Sequence, residues 1–170
     1  MRIALVNSIS ILCIILTLIT AYELRNVQNP LRILLLTICW FSMVYFPHCL
    51  AHYVVGRLLG VEFSHYTLSK SMLSKARLPI MSRIFSVKVF LTLRIKKRSG
   101  KRAMFFMFLA GPLASMLSPF TISFIVLSYD QTSAKIFTAL TIFNILFTGY
   151  FSYKHGCIRK ALNSLKFSMN

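Results

Sequence analysis

Acidic residues are scarce in this sequence, which has 3 Asp and Glu against 20 Lys and Arg and a formal net charge of +17. An excess of basic residues can indicate nucleic-acid binding. Here the basic residues lie between and after long apolar runs, a placement that the positive-inside rule of membrane proteins explains more simply. We therefore expect contacts with anionic lipid headgroups at the cytoplasmic face, and no nucleic-acid partner.

Paired cysteines are also missing. The four cysteines form no CxxC pair, and their spacing is not that of a disulfide framework. Cys13, Cys39 and Cys49 lie in apolar runs and Cys157 follows one; we interpret Cys13 and Cys39 as small buried hydrophobic residues. The sequence has no internal repeat and no low-complexity stretch, which argues against a repeat architecture.

Apolar residues are abundant, at 56% of 170 residues with a mean hydropathy of +0.69. We predict an all-α polytopic membrane protein, a single membrane domain over residues 1–170. Its four transmembrane helices are expected at about residues 3–22, 33–55, 103–127 and 136–153. The first run is longer than the apolar region of a signal peptide and has no convincing cleavage site, so we interpret it as an uncleaved helix.

Two basic segments set the predicted orientation. Segment 57–102 contains "FSVKVFLTLRIKK", whose alternation predicts a small β-strand or hairpin insertion between spans two and three. The basic tail, residues 154–170, is mildly amphipathic and is expected on the membrane surface. The connector 128–134 has no Lys or Arg. We therefore predict a multi-pass cell-membrane protein with both termini cytoplasmic, against which Arg25 and Arg32 in the first connector are a weak counter-signal.

The second span contains two histidines in "FPHCLAHYVVGRLLG", namely His48 and His52. Residues at i and i+4 share one helix face, so the two imidazoles can bind one metal ion. His155 lies at a similar predicted depth and is the candidate third ligand of a zinc site with an open fourth position. The alternative is that the histidines only hydrogen-bond to backbone or neighbouring helices. His65 is interpreted as a surface residue.

Three stretches together resemble the site-2 protease-type intramembrane metalloproteases. "HCLAHYVVGRLLGVEF" is similar to the family's H-E-x-x-H motif with its Leu-Gly ending, and "AGPLASM" is similar to its Gly-Pro-rich span. "FNILFTGYFSYKHG" is similar to the family's last core span, and the β-rich insertion also has a family counterpart. The resemblance covers about residues 33–160. It implies a zinc metalloendopeptidase acting on membrane-embedded peptide or protein segments.

Two departures from the family motifs affect the expected chemistry. Cys49 replaces the glutamate that serves the family as general base, and His155 replaces the aspartate of its Asp-Gly ending. Loss of general acid–base catalysis typically costs about 10²–10⁴-fold in rate. Glu62 could substitute for the glutamate only if the chain folded back after Gly60. We therefore expect a homologue that handles membrane-embedded segments, with proteolysis lost or altered, and whether it is an enzyme stays open.

Cys49 is the candidate catalytic residue, with three interpretations. It could act as a nucleophile with His52 as its base. A metal-bound water could instead attack the substrate without help from Cys49. In the third interpretation Cys49 is a small apolar residue at a position that no longer needs an acid, and we favour this interpretation over the nucleophile. An alternative function is a non-enzymatic membrane accessory or immunity protein for a secreted peptide, which small size and basicity permit.

Overall fold

The structure, a computed structural model, describes residues 1–69 and 90–166. A short 3₁₀ turn, Leu24–Asn26, separates the first two helices. The helices are α1 (Ile3–Glu23), α2 (Leu31–Leu58), α3 (Lys101–Leu117), α4 (Phe120–Leu127), α5 (Gln131–His155) and α6 (Cys157–Lys166), and the strands are β1 (Glu62–Ser69) and β2 (Phe90–Lys97).

The predicted fold class is confirmed. Among the residues that the structure describes, four helical stretches are long and apolar enough to cross a membrane: Ile3–Asn26, Leu31–Leu58, Lys101–Leu127 and Gln131–His155. Each predicted span lies inside the corresponding stretch, and a small antiparallel sheet lies between the second and third. The agreement follows from physics, because a helix must present about 20 apolar residues to cross the hydrocarbon core.

Prolines shape the second and third spans, and side chains satisfy the carbonyl groups that they free. Pro119 lacks an amide hydrogen and ends α3, so the carbonyl of Ser115, four residues earlier, has no helical partner. The Asn144 side chain donates to that oxygen at 3.0 Å. Pro47 lies inside α2 and frees the carbonyl of Met43. The Ser118 hydroxyl lies 2.6 Å from that oxygen and 2.6 Å from the Ala114 carbonyl oxygen, and since Ala114 already accepts from the Ser118 amide, Met43 is the acceptor that needs the hydroxyl proton. These bonds tie α2 to the break in the third span and α3 to α5.

Two glycines, Gly56 and Gly60, determine how α2 ends and how the chain continues. Gly60 has a positive φ of 79°, and the amides of Gly60 and Val61 donate to the carbonyls of Arg57 and Gly56 at 3.1 and 2.8 Å. This is the Schellman arrangement, which reverses the chain after a helix. A Cβ on Gly56 would lie 2.9 Å from a ring carbon of Phe63, so the absent side chain lets β1 return closely against α2.

The strands pair antiparallel, with Tyr66 opposite Leu93 and Thr67 opposite Thr92, and the register shifts between Glu62 and His65. Tyr66 is 1% exposed, and its hydroxyl donates to the side chain of Asn7 at 2.9 Å, which ties the sheet to α1. The alternating stretch from the sequence forms β2 over residues 90–97, while residues 85–89 lie outside the described part. His65 is exposed, as predicted.

The largest buried cluster lies where α1, α2, α4 and α5 meet. Trp40 is 4% exposed, and its indole N–H donates to the Thr141 hydroxyl at 2.9 Å, which in turn donates to the Phe137 carbonyl at 2.7 Å. The buried apolar members of the cluster include Ala21, Leu36, Ile122 and Val126. A second cluster of Val61, Met104 and Met107 packs under the sheet.

An ion pair joins the start of α2 to the start of α5. Arg32 Nη2 donates to Asp130 Oδ2 at 2.6 Å, and both side chains are mostly buried. Asp130 also caps α5, since its carboxylate accepts from the amide and the hydroxyl of Ser133 at 3.1 and 2.7 Å. Because Asp130 neutralises the charge of Arg32, Arg32 is weaker evidence against the predicted orientation, in which both termini are cytoplasmic.

Candidate metal centre

The two histidines of α2 face each other along one side of the helix. Their rings cross at 84° with centroids 4.8 Å apart, and the two Nε2 atoms are 3.2 Å apart. Two nitrogens bound tetrahedrally to one zinc ion, each at 2.0–2.1 Å, would be about 3.3 Å apart. The predicted i, i+4 pairing of His48 and His52 therefore places both nitrogens at the separation that one metal ion requires.

The ring of His52 is held in a defined orientation. Its Nδ1 lies 2.6 Å from the carbonyl oxygen of Met107, which can only accept a hydrogen bond, so Nδ1 carries the proton. A neutral His52 then presents the Nε2 lone pair to the site, as metal-binding imidazoles commonly do. Gly111 borders the ring, and a Cβ there would lie only 2.6 Å from Cε1. The small residue of "AGPLASM" gives the imidazole its room.

The ring of His48 is supported from the third and fourth spans. Its Nδ1 lies 2.8 Å from the Ser115 hydroxyl in α3. The backbone carbonyl of the same serine accepts a hydrogen bond from the Asn144 side chain. The Asn144 side-chain oxygen accepts in turn from the Thr148 hydroxyl at 3.1 Å. The Gly-Pro-rich stretch thus contributes Ser115, which contacts His48, and the last span contributes Asn144, which contacts the backbone of that serine.

Cys157 is the third potential ligand. Its Sγ lies 3.9 Å from His48 Nε2, and the ligand atoms of His48, His52 and Cys157 all lie within 4.8 Å of one another. A nitrogen and a thiolate sulfur on one tetrahedral zinc would be about 3.6 Å apart. A small inward movement of Cys157 would therefore complete a three-coordinate set, and this group could hold a metal ion.

The position of Cys157 follows from the break between α5 and α6. Gly156 is extended, with φ −105° and ψ −150°, and Cys157 begins the new helix. On the next turn Ala161 is fully buried, and α6 packs on α3. Burial raises the pKa of the Cys157 thiol, and nearby Lys160 opposes that rise. A metal ion binding here would therefore displace a proton from the thiol.

His155, the third ligand expected from the sequence, is exposed at the end of α5 and is not among the three residues whose ligand atoms converge. Cys157 was not among the ligands predicted from the sequence, where it was noted only as a cysteine that follows an apolar run. The signal that could have found it is the glycine between the two residues. A helix break at Gly156 changes which neighbouring side chain faces the histidine pair.

Cys49, the candidate catalytic residue, directs its side chain to the sheet. Its Sγ donates to the carbonyl oxygen of Leu91 in β2 at 3.2 Å. All three acids of the chain, Glu23, Glu62 and Asp130, lie in the described residues, and none belongs to the converging group. Within residues 1–69 and 90–166, the group therefore offers histidine and cysteine donors and no carboxylate.

Comparison of the chain with protein-family models, with curated proteins and with solved structures gave no match. The resemblance to site-2 protease-type metalloproteases therefore stays a prediction that depends on the motifs quoted above.

Proposed function

We propose that this protein is a multi-pass membrane protein, related to the site-2 protease-type intramembrane metalloproteases, that binds one zinc ion through His48, His52 and Cys157. It handles membrane-embedded peptide or protein segments, with cleavage lost or strongly slowed. The observation that carries the proposal is the convergence of three ligand atoms within 4.8 Å, from residues up to 109 positions apart in the chain.

The donor set favours zinc. Imidazole nitrogen and thiolate sulfur are its usual ligands, and two His with one Cys leave a fourth tetrahedral position open, as in catalytic rather than structural sites. A hard cation such as Mg²⁺ prefers oxygen ligands, which the group lacks. Zinc bound at this site would supply a Lewis acid that polarises a peptide carbonyl group.

The residues around the site support binding more than proton transfer. His52 donates through Nδ1 to a carbonyl and His48 is held by Ser115, so both rings are oriented to hold a ligand. Cys49 occupies the position of the family's general base, but its thiol donates a hydrogen bond to the backbone carbonyl of Leu91 in β2. The group contains no carboxylate, so it lacks the side chain that would carry a proton to the leaving amine. This supports slow or absent cleavage.

A membrane location is supported by the outer surface of the helices. Phe124, Phe143 and Leu146 are 64–70% exposed, which would be costly in water and is expected in lipid. We propose that the basic tail and the segment 57–102 face the cytoplasm, together with both termini, and contact anionic headgroups there. The metal site would then lie near the cytoplasmic side of the membrane.

The decisive experiment measures metal bound to the detergent-purified protein by plasma mass spectrometry. Wild type is expected to hold one zinc per chain, His48→Ala and Cys157→Ala to lose it, and His155→Ala to keep it. The last two substitutions form a matched pair, two residues apart. Zinc retained by His48→Ala would overturn the proposed site, whereas loss in His155→Ala with retention in Cys157→Ala would return the third ligand to His155.

Cleavage is tested separately on membrane-segment substrates in the same preparations. Wild type is expected to be inert or slow even when fully loaded with zinc. Cys49→Glu, which restores the family's general base, is expected to create or raise zinc-dependent cleavage. Rapid zinc-dependent cleavage by wild type would contradict the proposed loss, and its abolition in Cys49→Ala would assign a nucleophilic role to that residue.

A further inference from the structure

The direction of the Cys157 side chain is set at the joint where α5 ends and α6 begins. Gly156 lies between the two helices in an extended conformation, and its amide donates to the Ser152 carbonyl at 3.0 Å, which closes the last turn of α5. Helix α6 starts at the next residue, so the amides of its first turn have no carbonyl of the same helix to bond to. These amides need acceptors from outside α6.

Ser152 supplies one such acceptor from the last turn of α5. Its Oγ accepts from the amide of Ile158, the second residue of α6, at 3.1 Å. In many helices the side chain of the residue directly before the first turn caps this amide. Gly156 occupies that position and has no side chain, so Ser152 caps α6 from four residues earlier.

The glycine makes room for this bond. A Cβ on Gly156 would lie 2.7 Å from the Cα and 2.9 Å from the Oγ of Ser152. Both distances are well inside ordinary contact, which for carbon atoms is about 3.5–4.0 Å. The Ser152 hydroxyl therefore reaches the Ile158 amide through space that a larger residue at position 156 would fill.

A second bond crosses the joint in the other direction. The Nη1 atom of Arg159, on α6, donates to the Lys154 carbonyl at 2.9 Å, one of the carbonyls that the end of α5 leaves free. Ala161 lies four residues after Cys157, on the same face of α6, and is fully buried. The bonds that fix α6 relative to α5 therefore also fix the side to which the Cys157 thiol is directed.

We infer that Ser152 is a positioning residue for the third metal ligand: by capping α6 from α5, its hydroxyl holds the Cys157 thiol beside His48. The inference rests on the proposed function and deepens it, because the joint then decides whether the metal has two protein ligands or three. Cys157 Sγ lies 3.9 Å from His48 Nε2, and a shared zinc ion requires about 3.6 Å. The site thus tolerates little outward movement of α6.

The test follows the thiol without and with metal, in the full chain in detergent. Without metal, mass spectrometry of peptides gives the rate at which N-ethylmaleimide labels Cys157, separately from the other cysteines. Ser152→Ala is expected to raise that rate about fivefold, the shift in a helix equilibrium that loss of a capping hydroxyl typically causes.

Co²⁺ is the metal probe, because it accepts the same nitrogen and sulfur ligands as zinc and its spectrum reports a bound thiolate. Ser152→Ala is expected to bind Co²⁺ about fivefold more weakly, since less of the protein has the thiol in place. Its thiolate-to-cobalt charge-transfer absorption per bound ion should also be weaker than that of wild type.

Two further variants and one control accompany Ser152→Ala. Ser152→Thr keeps a hydroxyl and is expected to behave as wild type. Gly156→Ala, whose Cβ would displace the Ser152 hydroxyl, is expected to reproduce the effects of Ser152→Ala. The matched control is Ser164→Ala, which removes from α6 a hydroxyl that donates to the Ala161 carbonyl of the same helix. It is expected to label and bind Co²⁺ as wild type does.

If Ser152→Ala labelled and bound Co²⁺ as Ser164→Ala does, the inference would be overturned and the metal site would stand. A Ser152→Thr variant that behaved as Ser152→Ala would also contradict it, because the hydroxyl would then not be the cause. Absence of bound metal in wild type would instead overturn the proposed site. The labelling rates, measured without metal, would in that case still decide whether Ser152 holds the thiol.

Discussion

Substitution of Gly111 by alanine should separate metal binding from folding. An alanine Cβ would lie 2.6 Å from Cε1 and 2.7 Å from Cδ2 of His52, and closest of all to Nε2, the ligand atom itself. Ordinary carbon contacts are about 3.5–4.0 Å. The ring would therefore have to move by about 1 Å, whereas metal–ligand distances tolerate about 0.2 Å.

The expected result is a zinc affinity lower by about 10–100-fold, the range seen when a residue that orients a metal ligand is lost. The fold itself has less reason to suffer, because alanine is favoured over glycine in a helix by about 1 kcal/mol. Zinc affinity would be measured by competition with a chelator, and folding by thermal unfolding of the zinc-free protein.

Gly149→Ala is the matched control. That glycine also lies in a long helix, but a Cβ there would meet only Met116 Cε at 3.6 Å, an ordinary contact. Its zinc affinity should equal that of wild type. If Gly111→Ala bound zinc as tightly as Gly149→Ala, the close approach of α3 to the His52 ring would not position a metal ligand, and the reasoning would be refuted.

Three further results are expected. Ser118→Ala should lower the free energy of unfolding by about 1–3 kcal/mol, because the Met43 carbonyl freed by proline would lose its donor. Hydrogen bonds from Ser133, with the charge of Arg32, lower the pKa of Asp130. The Asp130 carboxylate should contribute fully to the free energy of unfolding above the ordinary carboxyl pKa of about 3.9. This contribution should be lost as the pH falls through the lower pKa that Asp130 has in the folded protein, which thermal unfolding measured at several pH values would show. Because burial raises the pKa of Cys157, zinc affinity should rise about tenfold per pH unit between about pH 7 and 8, since binding displaces the thiol proton.

Each of these results has its own control. Ser42 donates to a carbonyl that its helix already satisfies, so Ser42→Ala should change stability by less than about 0.5 kcal/mol. Pro47→Ala should rescue Ser118→Ala by restoring an amide donor for Met43, and no rescue would contradict the explanation. Asp130→Asn should remove the acid-dependent loss of stability. A zinc affinity independent of pH in wild type would argue against a thiolate ligand.

The helices could be predicted from the sequence because their lengths and apolar character are local properties set by the thickness of a bilayer. The turn after α2 was not predicted, although Gly60 marks it in the sequence, because the turn needs a positive φ that other residues rarely adopt. The division of the third span into α3 and α4 was not predicted. Pro119 could end a helix or only kink it, and neighbouring elements decide which.

The histidine pair was predictable because residues four apart on a helix share a face whatever the surrounding fold. The third member of the group depends on where α5 ends and how α6 packs on α3, and no local pattern fixes either. Residues 155 and 157 in one continuous helix would point to nearly opposite sides. The break at Gly156 and the burial of Ala161 bring the cysteine, and not the histidine, into the group with the pair.

The separation of the ligands along the chain has a consequence for biogenesis. His48 and His52 are synthesised early, whereas Cys157 follows 109 residues after His48. With three spans made, the chain carries only the imidazole pair of the proposed three-ligand zinc site. If the site binds zinc as proposed, metal capture would be a late event that follows insertion of the last span and docking of the short helix behind it. Zinc loading would report that membrane assembly is complete.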